Sequence, residues 1–328
     1  MNGIIRLLKN WTLPISISLG TLVFLAFHSV RFLAPFKGIT EAFVNQFIPL
    51  LVFTMLFFTF CKINPAHMQV KRWHIILVVF QLLSCITIGA ILYFIPAFPY
   101  RIPAEGAMVC LIAPTATAAA VITGKLGGNE ASLTSYTILS NLAATLSIPI
   151  IFPLIEGKGD ASFIHQLMLI SRQVFPLLIL PFFVAWGIRI FVPTLLNIIL
   201  RYCGSVAFYL WGLALMVVVG QTLRSIVNSD AGVSMIITLS AVGFVACCVQ
   251  FAAGKIIGGR YKDRISGGQG LGQKNTVFAI WISYTYLIPV SSIAPGSYIL
   301  WQNIINSWQL WYYNKTHNAK PRNIHIHS

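Results

Sequence analysis

The chain has 328 residues, of which 57% are hydrophobic and only 9% charged. A soluble domain carries roughly 25% charged residues, so this composition excludes a water-soluble surface and makes lipid the solvent for most of the chain. The formal charge of +15 does not mark a nucleic-acid binder, because the basic residues lie in short loops between apolar stretches and not along one amphipathic face.

The N-terminal stretch Met1 to Trp11 places Arg6 and Lys9 before an apolar run, as a signal peptide does. No small-residue cleavage site follows, and the apolar text continues through Leu33, so it predicts an uncleaved first helix. Runs long enough to cross the hydrocarbon, about 20 residues each, cover residues 12–32, 43–61, 74–96, 103–124, 130–154, 165–192, 203–223, 233–257, 266–288 and 292–313.

The fourth and ninth runs are interrupted. The first break is Ala113-Pro114-Thr115-Ala116-Thr117-Ala118-Ala119-Ala120, and the second runs from Gly267 through Gly268, Gly270 and Gly272 to Gln273-Lys274-Asn275. Paired broken segments at matching places in two halves point to a transporter binding site. Backbone freed by a break at membrane depth survives only where it lines a cavity or meets protein. Five spans repeated in sequence set the halves in opposite orientations, because five is odd. The expected fold is therefore an all-α integral membrane protein of ten transmembrane helices in two inverted five-helix repeats. Its discontinuous fourth and ninth helices cross in a core domain. The repeats cover residues 1–157 and 158–313, and a cytoplasmic tail covers 314–328.

Loop charge sets the orientation. With the N-terminus inside, the cytoplasmic segments hold fifteen basic residues, among them Lys71, Lys125, Arg260 and Lys315. The outer segments hold six: Arg31, Lys37, Arg101, Lys158, Arg172 and Arg224. Both termini are expected in the cytoplasm. The pair His325 and His327 reads as part of a solvated terminus.

No enzyme motif stands inside the membrane. Glu41, Glu105, Glu130 and Glu156 lie near span ends, and Asp160, Asp230 and Asp263 lie in loops. An intramembrane aspartyl protease needs two central aspartates, a metal-dependent one needs an HExxH-type helix, and a serine hydrolase needs a GxSxG elbow. The six cysteines show no CxxC or Cys/His spacing, so no metal or cofactor is expected.

Lys274 is the one charged side chain at a mid-membrane position. A central lysine costs about 2.5–3.5 kcal/mol on the insertion scale, and such residues usually face a bundle interior or a wet cavity. The alternative is a lysine snorkelling to the cytoplasmic surface. The four glycines before it make a poor regular helix, which favours a break. With no acid nearby the ammonium can lose its proton, lean on free half-helix carbonyls, or bind an anion. Pro114 removes a helix donor, and Thr115 and Thr117 can offer hydroxyls to a solute or to the freed backbone. Gln81 and Asn141 are further polar groups within spans, either interhelical glue or cavity lining.

At these segments the sequence resembles the bile acid:sodium symporter family, over most of the chain. Pro114–Ala120 occupies the place of the family's fourth-span Pro-Gly-Gly-x-x-Ser-Asn. Gly128-Asn129-Glu130-Ala131, Thr137, Ser140 and Pro149 are similar to its fifth helix. Gly270-Leu271-Gly272-Gln273-Lys274-Asn275 matches the ninth-span Glu-x-Gly-x-Gln-Asn, and Ala294-Pro295 with Tyr298–Asn303 resembles the last helix. The resemblance implies a panel domain and a core domain, with the broken helices crossing at the substrate and sodium sites. It also implies a bacterial inner-membrane carrier of organic anions.

The departures fall on the sodium ligands. The family's Ser-Asn pair reads Ala119-Ala120, its glutamate Gly270, its glutamine Lys274 and a fifth-helix serine Leu133. Thr137 keeps a ligand oxygen, and Gln81 lies where a third-span glutamine ligand would be. The expected function is a secondary transporter of a small organic anion, sodium-independent, with Lys274 replacing the cation and either no coupling or proton coupling. Gln273, Lys274, Asn275, Pro114, Thr115 and Thr117 are the expected solute site. Two other readings stay open: a cation/proton antiporter of related fold, which needs a mid-membrane aspartate, and a membrane receptor or structural protein without transport.

Overall fold

The computed structural model describes residues 12–63, 68–156, 162–228 and 231–318. Helices follow one another throughout: α1 Thr12–Ser29, α2 Lys37–Lys62, α3 Arg72–Phe94, α4 Arg101–Ile112, α5 Ala119–Lys125 and α6 Glu130–Glu156. The chain continues with α7 Phe163–Phe191, α8 Pro193–Val227, α9 Val233–Arg260, α10 Arg264–Gly272, α11 Thr276–Tyr286 and α12 Ile293–Asn318. Short 3-10 turns occupy Arg31–Phe36 and Pro289–Ser292. The all-α expectation holds for the described residues. The segment before Thr12 with Arg6 and Lys9, residues 157–161 of the junction between halves, and the tail beyond Asn318 lie outside them.

Among the described residues six helices are long and apolar enough to cross a membrane: α2, α3, α6, α7, α9 and the Tyr209–Val227 part of α8. The helix α1 is apolar but shorter. The halves α4, α5, α10 and α11 have 12, 7, 9 and 11 residues, too short singly to span about 30 Å at 1.5 Å per residue. Polarity is turned inside out relative to a soluble domain. Leu22, Phe43, Leu83, Phe183 and Ile237 are exposed, whereas His74, Gln81, Gln250, Gln269 and Lys274 are buried. An exposed surface this apolar is at home in lipid.

Two groups of helices form the body. In one, α1 packs on α8, and α2 packs on α7 and α8. In the other, α9 packs extensively on α10 and α12, α3 on α4 and α6, and α4 on α9. The contact of α6 with α7 and of α11 with α2 joins the groups.

Three expected boundaries move. Pro193 opens α8 directly after Val192, so residues 193–202 are helix and not loop; a proline is well tolerated at the first helical position because its missing N–H has no partner there anyway. The helix α12 runs to Asn318, taking in the first residues of the expected tail. Most instructively, Gly267, Gly268, Gly270 and Gly272 are helical within α10, and the second break narrows to Gln273–Asn275. These glycines are there for packing. A Cβ on Gly254 of α9 would collide with the Gly267 carbonyl of α10, and one on Gly272 with the Phe251 ring. Close backbone approach of this kind outweighs the weak helix propensity of glycine.

Candidate functional site

The first break spans Ala113–Ala118 between α4 and α5, and the second spans Gln273–Asn275 between α10 and α11. They meet as a miniature antiparallel bridge pairing Thr115 with Lys274. The Ala116 N–H donates to the Gln273 carbonyl at 2.8 Å, and the Asn275 N–H donates to the Pro114 carbonyl at 2.8 Å. Each break thus satisfies the backbone groups the other sets free, as depth in a membrane requires.

The side chains repeat the exchange. The Thr115 hydroxyl donates to the Gly270 carbonyl at 2.8 Å, at the end of α10. The Lys274 ammonium donates to the Leu111 carbonyl at 3.1 Å, at the end of α4. Both accept at a position four residues before the opposing bridge residue. Lys274 is 1% exposed, so its snorkelling alternative is overturned: the ammonium caps a helix C-terminus, where the partial charge of free carbonyls is negative. No carboxylate lies within ion-pair distance of it among the described residues.

A second tier holds the bridge in place. The Thr115 N–H donates to Ser140 Oγ of α6 at 3.2 Å, and the Lys274 N–H donates to Gln302 Oε1 of α12 at 3.0 Å. Gln81 of α3 donates to the Ile112 carbonyl at 2.8 Å and accepts from Ser140 and Tyr136. Gln250 of α9 donates to the Cys110 carbonyl and to the Tyr298 hydroxyl, and Tyr298 donates to the Gly272 carbonyl at 2.6 Å. Gln81 is therefore glue between helices, whereas Asn141 bonds back to Thr137 within α6.

The expected solute residues are brought together in part. Pro114, Thr115, Gln273, Lys274 and Asn275 all sit at the bridge. Thr115 gives its hydroxyl to backbone, and Asn275 caps α11 through Oδ1, which accepts from the Phe278 N–H at 3.2 Å. Thr117 stands half-buried in the turn before α5. Where the family's sodium ligands would be, Ala119 and Leu133 pack with Trp73, Leu77, Tyr136 and Leu271. A Cβ on Gly270 would meet the Tyr136 ring at 2.8 Å. Ala120 lies against this cluster, half-buried, and the Thr137 hydroxyl donates to the Leu133 carbonyl at 3.0 Å.

No family model matches this chain, and no curated protein matches it. Its site is described by its own geometry.

Sequence reasoning overlooked Tyr136 and Gln250, and named Ser140, Tyr298 and Gln302 only for their resemblance to family helices, without a role at the crossing. A signal was available: Tyr136 with Ser140, and Tyr298 with Gln302, repeat a tyrosine followed four residues later by a polar group, each in the long helix that follows an interrupted pair. Also overlooked was the anchor at the start of α10. Lys71 Nζ meets Asp263 Oδ2 at 2.9 Å, and the His74 ring bonds Ser132 at 3.1 Å. Burial alone would raise the Asp263 pKa. Hydrogen bonds from Ser266, Lys71 and Ser132, together with the Lys71 charge, outweigh it and hold the carboxyl below its ordinary 3.8.

Away from the crossing, a cavity of about 210 Å3 opens between α1, α2 and α8, lined partly by His28, Lys37, Glu41, Arg224 and Tyr284. Arg224 and Glu41 form an ion pair at 2.6 Å, leaving the lining net positive.

Proposed function

We propose that this chain is a secondary transporter of a small organic anion, built like the bile acid:sodium symporters and working without sodium. The observation that carries the reading is the meeting of two interrupted helices around a buried ammonium that has no carboxylate partner among the described residues. Such a group at membrane depth is costly unless it serves a pathway or a ligand, and its remaining N–H donors suit an anion.

The topology proposed is ten spans in two inverted repeats, in a bacterial inner membrane, with both termini cytoplasmic. Local symmetry supports the repeat. Exchanging Thr115 with Lys274, Gly270 with Leu111 and Ser140 with Gln302 maps one half of the bonding pattern onto the other. The packing of α1 on α8 and of α2 on α7 exchanges in the same way. In this frame the cavity holding Lys37 and Arg224 lies on the outer side, where a net positive lining would gather anions.

The test is a thermal-shift screen of anionic metabolites on the purified protein and on Lys274→Gln. A binder raises the melting temperature of the parent by mass action and loses most of that effect in the variant. Reporters fused after Ser328 and in the Glu156–Asp160 loop check the topology; a periplasmic C-terminus overturns it.

A second reading, a receptor or structural protein without transport, is favoured by one feature: Thr115 at 0% and Lys274 at 1% exposure each send the side chain to a backbone carbonyl of the protein itself. Absence of any anion-dependent stabilisation or uptake would select it.

A further inference from the structure

The cavity between α1, α2 and α8 has a shape and a lining of its own. The α8 helix packs on both α1 and α2, but α1 and α2 make few close backbone approaches to one another. At Gly20 the contact of α1 with α8 is so close that a Cβ would collide with the Met216 carbonyl, and both residues line the cavity. From Gly20 to His28, which also lines it, α1 covers about 12 Å at 1.5 Å per residue.

The lining is sorted along that length. Gly20, Val23, Phe24, Met216 and Val217 come from the interiors of α1 and α8. The charged groups gather where α1 and α8 end and α2 begins. His28 is in the last turn of α1, Lys37 is the first residue of α2, and Arg224 is in the last turn of α8. An apolar interior beneath a cationic mouth suits a ligand with one apolar and one anionic end.

The polar groups leave donors to spare. Glu41 is the one carboxylate among the described lining residues, and Arg224 offsets it at 2.6 Å. One formal positive charge is left over, on Lys37, which is exposed and makes no ion pair among the described residues. Asn45 Oδ1 accepts from Gln221 at 3.4 Å, so the Asn45 amide N–H groups remain for a ligand. A single uncompensated charge matches a monoanion.

Size narrows the ligand further. The volume of about 210 Å3 falls below the roughly 300 Å3 at which pockets for drug-sized ligands begin. At about 30 Å3 per water it has room for about seven heavy atoms, which is the scale of hexanoate.

We propose that this cavity is a binding site for a short-chain aliphatic monocarboxylate, held with its carboxylate at Lys37 and its chain among Phe24, Val44 and Val217. No residue of either break lines it, so the site stands whether or not Lys274 takes part in transport.

The test is hexanoate binding by the full chain in nanodiscs of zwitterionic lipid, read as the concentration dependence of the melting temperature at constant ionic strength. Hexanoate should raise melting saturably. Acetate, which lacks the chain, and hexanol, which lacks the charge, should not do so at the same concentration. Lys37→Gln should weaken hexanoate by at least about tenfold, the loss expected of one hydrogen bond to a charged group, and Lys37→Arg should restore most of it. Lys37 is exposed at the head of its helix, so neither change touches the core. Lys274→Gln should respond to hexanoate as the parent does. An equal rise with hexanol, or an unchanged affinity in Lys37→Gln, overturns the proposal. A response lost in Lys274→Gln but kept in Lys37→Gln puts the carboxylate at the crossing; that also overturns it, while leaving the anion-carrier reading in place.

Discussion

Thr115 and Lys274 do the same job for each other's helices. Each is the bridge residue of its own break, and each sends its side chain to a carbonyl at the C-terminal end of the opposing half-helix, Gly270 for Thr115 and Leu111 for Lys274. A hydroxyl on one side and an ammonium on the other fill equivalent places. The asymmetry in charge, not in geometry, is what singles out Lys274.

Replacing Lys274 by glutamine should keep the fold, because a neutral amide is cheaper in the membrane than an ammonium. Anion binding should weaken by about 1.5–3 kcal/mol, the usual worth of a hydrogen bond to a charged group. If uptake is proton-coupled, its pH dependence should vanish too, and Lys274→Arg should fail because arginine does not release its proton. Binding isotherms and uptake at several pH values read both; wild-type behaviour of the glutamine variant would remove Lys274 from the mechanism.

Thr115→Val removes the hydroxyl at nearly constant volume and strands the Gly270 carbonyl. It should destabilise the protein by about 1–3 kcal/mol, the cost of an unpaired buried group, whereas Thr115→Ser should recover most of that. Thermal or denaturant unfolding in detergent measures it. Equal stability of the valine and serine variants would mean that the hydroxyl bond contributes nothing.

Sodium should not act as a specific ligand. Ala119, Leu133 and Tyr136 pack where ligand oxygens would be needed, and the Thr137 hydroxyl donates within its own helix. Melting should be the same in sodium and in choline at equal ionic strength, since any specific site would raise stability with ion concentration. A sodium-specific rise would point to a site assembled from other groups.

The Lys71–Asp263 pair anchors the start of α10 and carries a pH signature. The folded pKa of Asp263 lies below its ordinary 3.8, so its contribution is present above that value and is lost as pH falls through the folded pKa. Asp263→Asn should therefore be less stable than the parent at neutral pH, with the difference closing under acid. Melting curves of parent and variant across pH check this; a difference unchanged from neutral pH to below 3 would assign the effect to packing.

What the sequence determined by itself was the apolar, all-helical character of the chain and the place of its two interruptions. Charge content, run length and Pro114 with Lys274 mark a helical membrane protein broken at two places, because hydrocarbon tolerates neither loose charge nor unpaired backbone. Only the tertiary structure decided how the breaks are resolved. The glycines of α10 read as helix-breaking, since propensity is a local quantity; they are helical because Gly254 and Phe251 of α9 lie too close for a Cβ. The destination of the Lys274 ammonium was likewise open, because its partner Leu111 lies 163 residues away along the chain and is reached through backbone. A carbonyl acceptor has no residue type to betray it.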